Sequence, residues 1–165
     1  YLDAVGANAG LLLNIPPDTH GRIAAADCAS LTELGTKIRQ IFASNVTEKA
    51  KITADSAIAQ PPITQAVDGM ANTYWQAAYG QESDTITLNF PKPQKVSCVV
   101  LGEHLPTGQR IESGEIWADG SKASEFTVVG HKRICRFAPV DVQTLTIKIT
   151  ASRTEPTLRL LEVYQ

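Results

Sequence analysis

The sequence predicts a mainly β fold, an antiparallel β-sandwich preceded by one α-helix. Residues 85–90 and 144–150 alternate apolar and polar side chains with a period of two, the pattern of a half-buried strand. Five further strand-like segments lie between clusters of Pro, Gly, Asp and Ser: 95–103, 113–119, 125–130, 132–137 and 158–164. Short strands with turn signals about every 8–12 residues are typical of antiparallel sandwiches.

The predicted helix covers residues 27–42. Its apolar residues fall at helical spacing and form one stripe: Leu31, Leu34, Ile38 and Ile41. Asp27 has the residue type that favours an N-cap. Before the helix, residues 10–21 read GLLLNIPPDTHG, a leucine-rich run that predicts a buried strand without any βα neighbours to pair with.

Composition sets limits on the class of protein. The 165 residues are 43% hydrophobic and 19% charged, as in ordinary soluble globular proteins. A net charge of −2 without a basic cluster argues against a nucleic-acid partner. No apolar run approaches about 18 residues, which argues against a membrane span. Without an initiator Met or a signal-like start, the sequence is expected to be a segment of a longer protein.

The three cysteines, Cys28, Cys98 and Cys135, have no metal-ligand spacing. Cys98 and Cys135 lie inside strand-like runs, where free buried thiols act as small hydrophobic residues. A Cys98–Cys135 disulfide is the alternative. Cysteine usage therefore does not define the compartment.

Two stretches near the start resemble the end of the catalytic barrel in the α-L-fucosidase family of glycoside hydrolases. These are GLLLNIPPDTHGRI at 10–23 and LTELGTKI at 31–38. The family has a last barrel strand, an Asn-Ile/Val-Pro-like turn, a loop ending in Gly-x-Ile and a helix with a Leu-x-x-Leu-Gly pattern. The resemblance makes Leu11 to Asn14 that strand and makes residues 1–43 the remnant of a (β/α) barrel. Without its parallel partners, this strand is expected to be irregular or sheltered by another chain.

Two other stretches resemble the discoidin-like, coagulation-factor C-type β-sandwich, a galactose-binding-like jelly roll. These are AVDGMANTYW at 66–75 and LLEVY at 160–164. Residues 101–117 and 129–137 look like the version of this sandwich that follows α-L-fucosidase barrels. The predicted organisation is therefore a barrel remnant over 1–43, a short polar linker over 44–50 and a carbohydrate-binding-type sandwich over 51–165.

No pair of carboxylates is supported as a catalytic dyad. Retaining glycoside hydrolysis needs two carboxyl groups about 5 Å apart, and the resemblance assigns both to earlier barrel strands that this chain lacks. The segment alone is therefore expected to be inactive, and no catalytic residue is assigned. Asn14 and Asp18 follow the barrel-type strand at its carboxyl end, where such barrels place active sites. They are either peripheral pocket residues or residues that satisfy the loop backbone.

The resemblance places a structural calcium or sodium ion at Asp68, Thr73 and Glu162, with backbone carbonyls near Gln65 and Leu161. Hard cations require several oxygen ligands. Met70 stands where the motif usually has Asp or Asn, and a thioether is a poor ligand for calcium. The alternative is that Asp68 caps its own turn while the next glycine takes a left-handed conformation. No cofactor for catalysis is expected.

Polar loop residues are the candidates for sugar binding, because such sandwiches bind glycans in shallow sites on loops at one end. The set contains Glu103, His104, Gln109, Arg110 and Arg153, with Tyr79 or Trp75 as a stacking face. Trp75 is expected in the core, and residues 131–133 are expected in a solvated turn and strand edge. The alternative is that the polar loop packs the sandwich against the barrel.

We therefore predict the C-terminal accessory module of an α-L-fucosidase, an enzyme class that removes terminal α-L-fucose from glycans by a retaining mechanism without a catalytic metal. Its expected partners are fucosylated or galactosylated glycans and the catalytic barrel of the same polypeptide. By resemblance alone the protein is extracellular or periplasmic. The alternative function is a structural or interdomain sandwich without a glycan site.

Overall fold

Antiparallel strands make up most of the fold, as the sequence predicts, in a computed structural model that describes residues 1–56 and 61–165. Its elements are the helix α1 (Ala25–Ile41) and the strands β1 (Lys51–Ala54), β2 (Trp75–Gln76), β3 (Asp84–Gly102), β4 (Ile111–Ala118), β5 (Ser121–Phe126), β6 (Arg133–Ser152), β7 (Thr157–Leu158) and β8 (Leu160–Tyr164). The main sheet has the order β1-β3-β6-β4-β5, with β8 also paired to β3. The short strands β2 and β7 form a separate pair.

The two long strands, β3 and β6, connect both halves of the fold. The first half of β3 pairs with the second half of β6, and the second half of β3 pairs with the first half of β6 and with β8. Each strand joins two segments that the sequence separates by the turn signals PKP and APVD. The prolines of PKP lie between Asn89 and Gln94, where the pairing register shifts. Prolines are tolerated at such irregularities because no ladder hydrogen bond is required of them there.

The main core lies between the two halves. The alternating residues of the two sequence-predicted strands point into it, and they are completely or nearly completely buried: Ile86, Leu88, Phe90, Leu145, Ile147 and Ile149. Trp75 is also fully buried in this core, as expected. The strand predicted over 125–130 instead ends at Phe126, and its pairing begins at Ser121. The structure therefore confirms the mainly antiparallel fold class, but the strand predicted over 125–130 begins four residues earlier.

The helix α1 forms where it is predicted but begins two residues earlier. Its N-cap is Ala24, which makes no side-chain capping bond, and Asp27 lies inside the first turn. The N-cap prediction for Asp27 is therefore wrong, although a carboxylate in the first turn still interacts favourably with the helix dipole. The helix has no buried residue. Its apolar stripe packs against little of the described structure.

The leucine-rich run before α1 forms no strand. Leu12 is 93% exposed, and Leu11 and Leu13 are 41% and 49% exposed. This agrees with the expectation that the segment is irregular when parallel partners are absent. Asp18 accepts hydrogen bonds from the backbone N–H groups of His20 and Arg22, so it stabilises its own turn.

The segment 44–50 is not a free linker. Val46 is fully buried, and its N–H donates to the carbonyl oxygen of Val163 at 2.8 Å. The N–H of Val163 in turn donates to the hydroxyl of Thr47 at 2.7 Å. These bonds attach the segment to β8, because its backbone and the Thr47 hydroxyl pair with the N–H and carbonyl groups of Val163.

Cys98 and Cys135 are free and buried. They lie on the paired strands β3 and β6, but Cys135 belongs to the main core whereas Cys98 packs in a second cluster with Tyr164. Burial raises the pKa of Cys98 to about 11 and that of Cys135 to about 12. Because both cysteines are free and pack in different clusters, the disulfide alternative is wrong, and both thiols serve as small apolar side chains.

Candidate functional site

Three connecting segments meet at one end of the sandwich: 70–83, 103–110 and 153–159. His104 stacks face to face on Tyr74, with ring centroids 3.8 Å apart and an interplanar angle of 7°. The backbone N–H of His104 reaches the hydroxyl of Thr157 at 3.4 Å. The Glu155 carboxylate accepts the N–H of Gly80 at 2.8 Å. These contacts fix the three segments relative to one another, and we call this region the loop end.

Glu103 is buried beneath the surface of the loop end and stabilises it. It is 1% exposed, and its carboxylate accepts the backbone N–H groups of Arg110, Ile111 and Gly130 at 2.7, 2.9 and 2.6 Å. A carboxylate occupied in this way cannot also contact a sugar in solvent. The prediction of Glu103 as a sugar ligand is therefore corrected: this residue positions the 103–111 segment.

Arg110 remains available to a ligand. Its Nε donates to the carbonyl of Thr107 at 3.3 Å and its Nη1 to the carbonyl of Glu155 at 2.7 Å. These two bonds hold the guanidinium in one orientation, and Nη2 makes no bond to the described protein. Gln109, the preceding residue, is exposed. The predicted pair therefore lies on an accessible surface.

Tyr79 and Arg153 lie on the two neighbouring segments. Tyr79 is 95% exposed, next to the glycine that Glu155 anchors. Arg153 is exposed, and its Nε pairs with Glu112 at 2.9 Å. Its backbone N–H donates to the carbonyl of Arg110 at 3.0 Å. The structure thus brings all the exposed members of the predicted set to the loop end.

Sequence reasoning missed Tyr74, Glu155 and Arg159 at this end. Tyr74 lies inside the AVDGMANTYW signature, beside the buried Trp75. Glu155 and Arg159 come from the short segments around β7, whose proximity to residues 103–110 depends on strand pairing. Only the aromatic character of Tyr74 provided a signal in the sequence.

Two titratable groups at the loop end have shifted pKa values. Burial lowers the pKa of His104, and the nearby Arg159 and Arg110 guanidinium groups lower it further. The imidazole is therefore neutral at pH 7, and because Nδ1 is buried, Nε2 is the ring nitrogen that can accept or donate a hydrogen bond to a ligand. Glu155 accepts bonds from the Gly80 N–H, the Thr154 hydroxyl and its own N–H, which lower its pKa to about 2. Glu155 is therefore ionised across the physiological range.

Two of the three predicted cation residues line a separate cavity of about 220 Å³, and Thr73 is not among its lining residues. Asp68 and Glu162 both line it. The Oδ1 atom of Asp68 accepts the Thr73 hydroxyl and the Met70 N–H, each at 2.8 Å, and Gly69 has a φ of +72°. Asp68 therefore caps its own turn, as the alternative interpretation predicts, and its Oδ2 atom is left for another partner.

The polar side chains at this cavity all carry oxygen atoms. Within residues 1–56 and 61–165, no three His, Cys, Asp or Glu side chains form a metal-ligand cluster. The Met70 side chain is 62% exposed and supplies no oxygen. The cavity is lined by three carboxylate residues, Glu48, Asp68 and Glu162, and by Asn45, Thr47 and the apolar or glycine residues of 66–69 and 160–161. They fit a hard cation only if the backbone supplies the remaining oxygens.

Comparisons with known proteins cover nearly the whole chain. It is 28% identical over 176 residues to α-L-fucosidase 1 of Arabidopsis thaliana, covering 99% of this chain and 35% of the plant protein. A GH29 fucosidase of Ruminococcus gnavus in complex with fucose superposes with a TM-score of 0.90 and 27% identity, covering 100% of this chain and 35% of that chain. The chain thus spans about a third of the length of the curated relatives it matches.

The fold has a further structural neighbour outside that group. The CBM32 domains of ZmpB from Clostridium perfringens match 81% of this chain and 38% of theirs, with a TM-score of 0.61 and 18% identity, a likeness of fold alone. No protein-family profile matches the chain. In the described part of the chain, no helix combines the length and apolar character that a membrane crossing requires.

Proposed function

We propose that this chain is a C-terminal accessory module of an α-L-fucosidase and that its loop end binds glycans. The similarity to α-L-fucosidases along 99% of the chain, over only about a third of their length, carries this proposal. In the longer enzyme the catalytic carboxylates would come from the remainder of the polypeptide. The module would act outside the cell or in the periplasm on fucosylated or galactosylated glycans.

The chemistry of the loop end supports glycan binding. Sugar hydroxyls need directional donors and acceptors, and sugar rings pack on exposed aromatic faces. Arg110 supplies donors from an oriented guanidinium, and neutral His104 supplies one ring nitrogen, Nε2, since its Nδ1 is buried. Tyr79 supplies a ring that is 95% exposed. Hydrogen bonds already order residues 103–110, so binding a glycan would cost less conformational entropy.

Glycan titration tests this proposal. We expect the purified chain to bind fucosylated or galactosylated oligosaccharides at millimolar concentrations, followed by NMR chemical-shift changes. Arg110→Ala removes the oriented donors and is expected to weaken binding about tenfold, the equivalent of one charged hydrogen bond. Arg39→Ala on α1 is the matched control, because it removes an exposed arginine outside the loop end.

The interdomain alternative makes a different prediction for the same variants. If the loop end packs against a catalytic barrel, Arg110→Ala lowers the thermal stability of the longer polypeptide and no oligosaccharide binds to the isolated chain. That combination would overturn the glycan-binding proposal. A barrel contact is favoured at the N-terminal part of the chain, where Leu11, Leu12 and Leu13 are exposed and α1 has no buried residue. Such a contact is compatible with glycan binding at the loop end.

A structural cation beside Asp68 and Glu162 is a second proposal, supported by the cavity that both residues line. We expect calcium at 100 times its dissociation constant to stabilise the chain by about 2.7 kcal/mol. This corresponds to a rise of about 5–10 °C in Tm. Met70→Asp should strengthen the response because it restores an oxygen ligand, and Asp68→Ala should abolish it. An unchanged Tm with calcium and with EDTA, in the original chain and in Met70→Asp, would contradict the proposal.

A further inference from the structure

Arg159 differs from the other arginines of the chain. It is half-buried, and its guanidinium has neither an ion pair nor a hydrogen bond to any described residue. The other six arginines each have an acceptor: Arg22, Arg39, Arg110, Arg133, Arg136 and Arg153. A guanidinium presents five N–H donors and keeps its charge at any physiological pH. A partly buried charge of this kind is stabilised when an anion contacts it.

The fold directs Arg159 back over the loop end. Its backbone N–H donates to the carbonyl of Gly102 at 2.8 Å, which joins the start of β8 to the end of β3. Its Nη2 atom lies 3.3 Å from the position that a Cβ on Gly102 would occupy. The glycine therefore leaves room for the guanidinium beside the segment that carries His104. The effect of Arg159 on the His104 pKa agrees with this proximity.

Arg110 and Arg159 have different electrostatic surroundings. The ionised Glu155 lies close enough to Arg110 to be stabilised by its charge, so Arg110 is already partly neutralised. No carboxylate forms an ion pair with Arg159 among the described residues. The carboxylate oxygens of buried Glu103 already accept hydrogen bonds from three backbone N–H groups. An incoming anion would therefore meet its strongest uncompensated partner at Arg159.

We infer that the loop end takes a glycan that carries a negatively charged group, a carboxylate or a sulfate, and that Arg159 binds this group. The inference rests on the proposed glycan-binding function of the same site. Guanidinium and carboxylate or sulfate oxygens form paired, charge-assisted hydrogen bonds that exceed those to neutral hydroxyls. Arg110 and the neutral imidazole of His104 would then contact the sugar hydroxyls.

Three sugars that differ at one carbon test the inference: galactose, galacturonate and galactose 6-sulfate. We expect one or both acidic sugars to bind the purified chain about tenfold more tightly than galactose at low salt. In Arg159→Gln the acidic and neutral sugars should bind equally, because the charged partner of the acidic group is lost. Arg39→Gln is the matched control and should keep the preference. Raising the ionic strength should reduce the preference, because salt screens exposed charges.

The possible results separate the inference from the proposed function. Binding of galactose with no preference for either acidic sugar overturns the inference and leaves the glycan-binding function standing. A preference that persists in Arg159→Gln overturns the assignment to Arg159. No binding of any sugar overturns both. A preference for only one acid identifies the group, carboxylate or sulfate, that the site accepts.

Discussion

Replacing Glu103 by alanine is expected to lower the free energy of unfolding by about 3–5 kcal/mol. The substitution leaves the N–H groups of Arg110, Ile111 and Gly130 without the acceptor that they share in the native structure. Each buried, unpaired N–H costs about 1–3 kcal/mol because it has lost water without gaining a partner. Urea unfolding of Glu103→Ala beside the original chain measures the difference.

Two further variants help to interpret the loss of stability in Glu103→Ala. Glu103→Gln keeps one acceptor oxygen for Arg110 and Ile111 but turns an amide toward the Gly130 N–H, so an intermediate loss is expected. Glu82→Ala removes an exposed carboxylate and should change stability by less than about 0.5 kcal/mol. A loss below about 1 kcal/mol in Glu103→Ala would show that the carboxylate does not hold the segment. The same substitution should weaken glycan binding, because the segment that presents Arg110 would lose its support.

Gly114→Ala is the second substitution with a large expected effect, a loss of about 3 kcal/mol. Gly114 lies within β4, and a Cβ there would lie 2.6 Å from the backbone oxygen of Lys148 and would overlap the ring of Phe126. Neither neighbour moves easily, since the oxygen belongs to the paired strand β6 and the ring is buried in the core. Thermal or urea unfolding measures the loss.

Paired variants separate the two clashes of Gly114→Ala. Phe126→Leu removes the ring, so the double variant Gly114→Ala/Phe126→Leu should lose less stability than the two single losses combined. A residual loss should persist, because the Lys148 oxygen remains. Gly10→Ala is the matched control, since a Cβ at that position has no atom within 4 Å. Simple additivity of the two substitutions would contradict a packing conflict between the added methyl group and the ring of Phe126.

The sequence alone determined the mainly β class and the position of the helix. A period of two at 85–90 and 144–150 requires one face of each strand to be buried, and a one-residue shift would expose every apolar side chain. The stripe of α1 follows the helical period whatever it packs against. Local patterns of this kind can be recognised in the sequence without knowing where any other segment lies. They also identified the loop from His104 to Arg110 as a polar loop at the protein surface.

Strand continuity was decided by the tertiary structure. The prolines at 91 and 93 look like a break in the sequence, but β3 passes through them with a register shift. A partner strand supplies enough pairing on either side to extend the strand across the irregularity. The polar segment 44–50 has no apolar pattern, yet Val46 is buried because the edge of β8 needed backbone partners.

The roles of individual site residues also depended on the tertiary structure. In the sequence, Glu103 and Arg110 are equivalent polar loop residues, but burial converts the first into a support and leaves the second accessible. Arg159 lies 55 residues from His104 in the sequence. The two meet because β8 pairs with β3, so that the residues just outside those strands are brought together. Sequence patterns determine which surfaces must be buried, whereas the contacts of a charged side chain depend on which distant strand lies beside it.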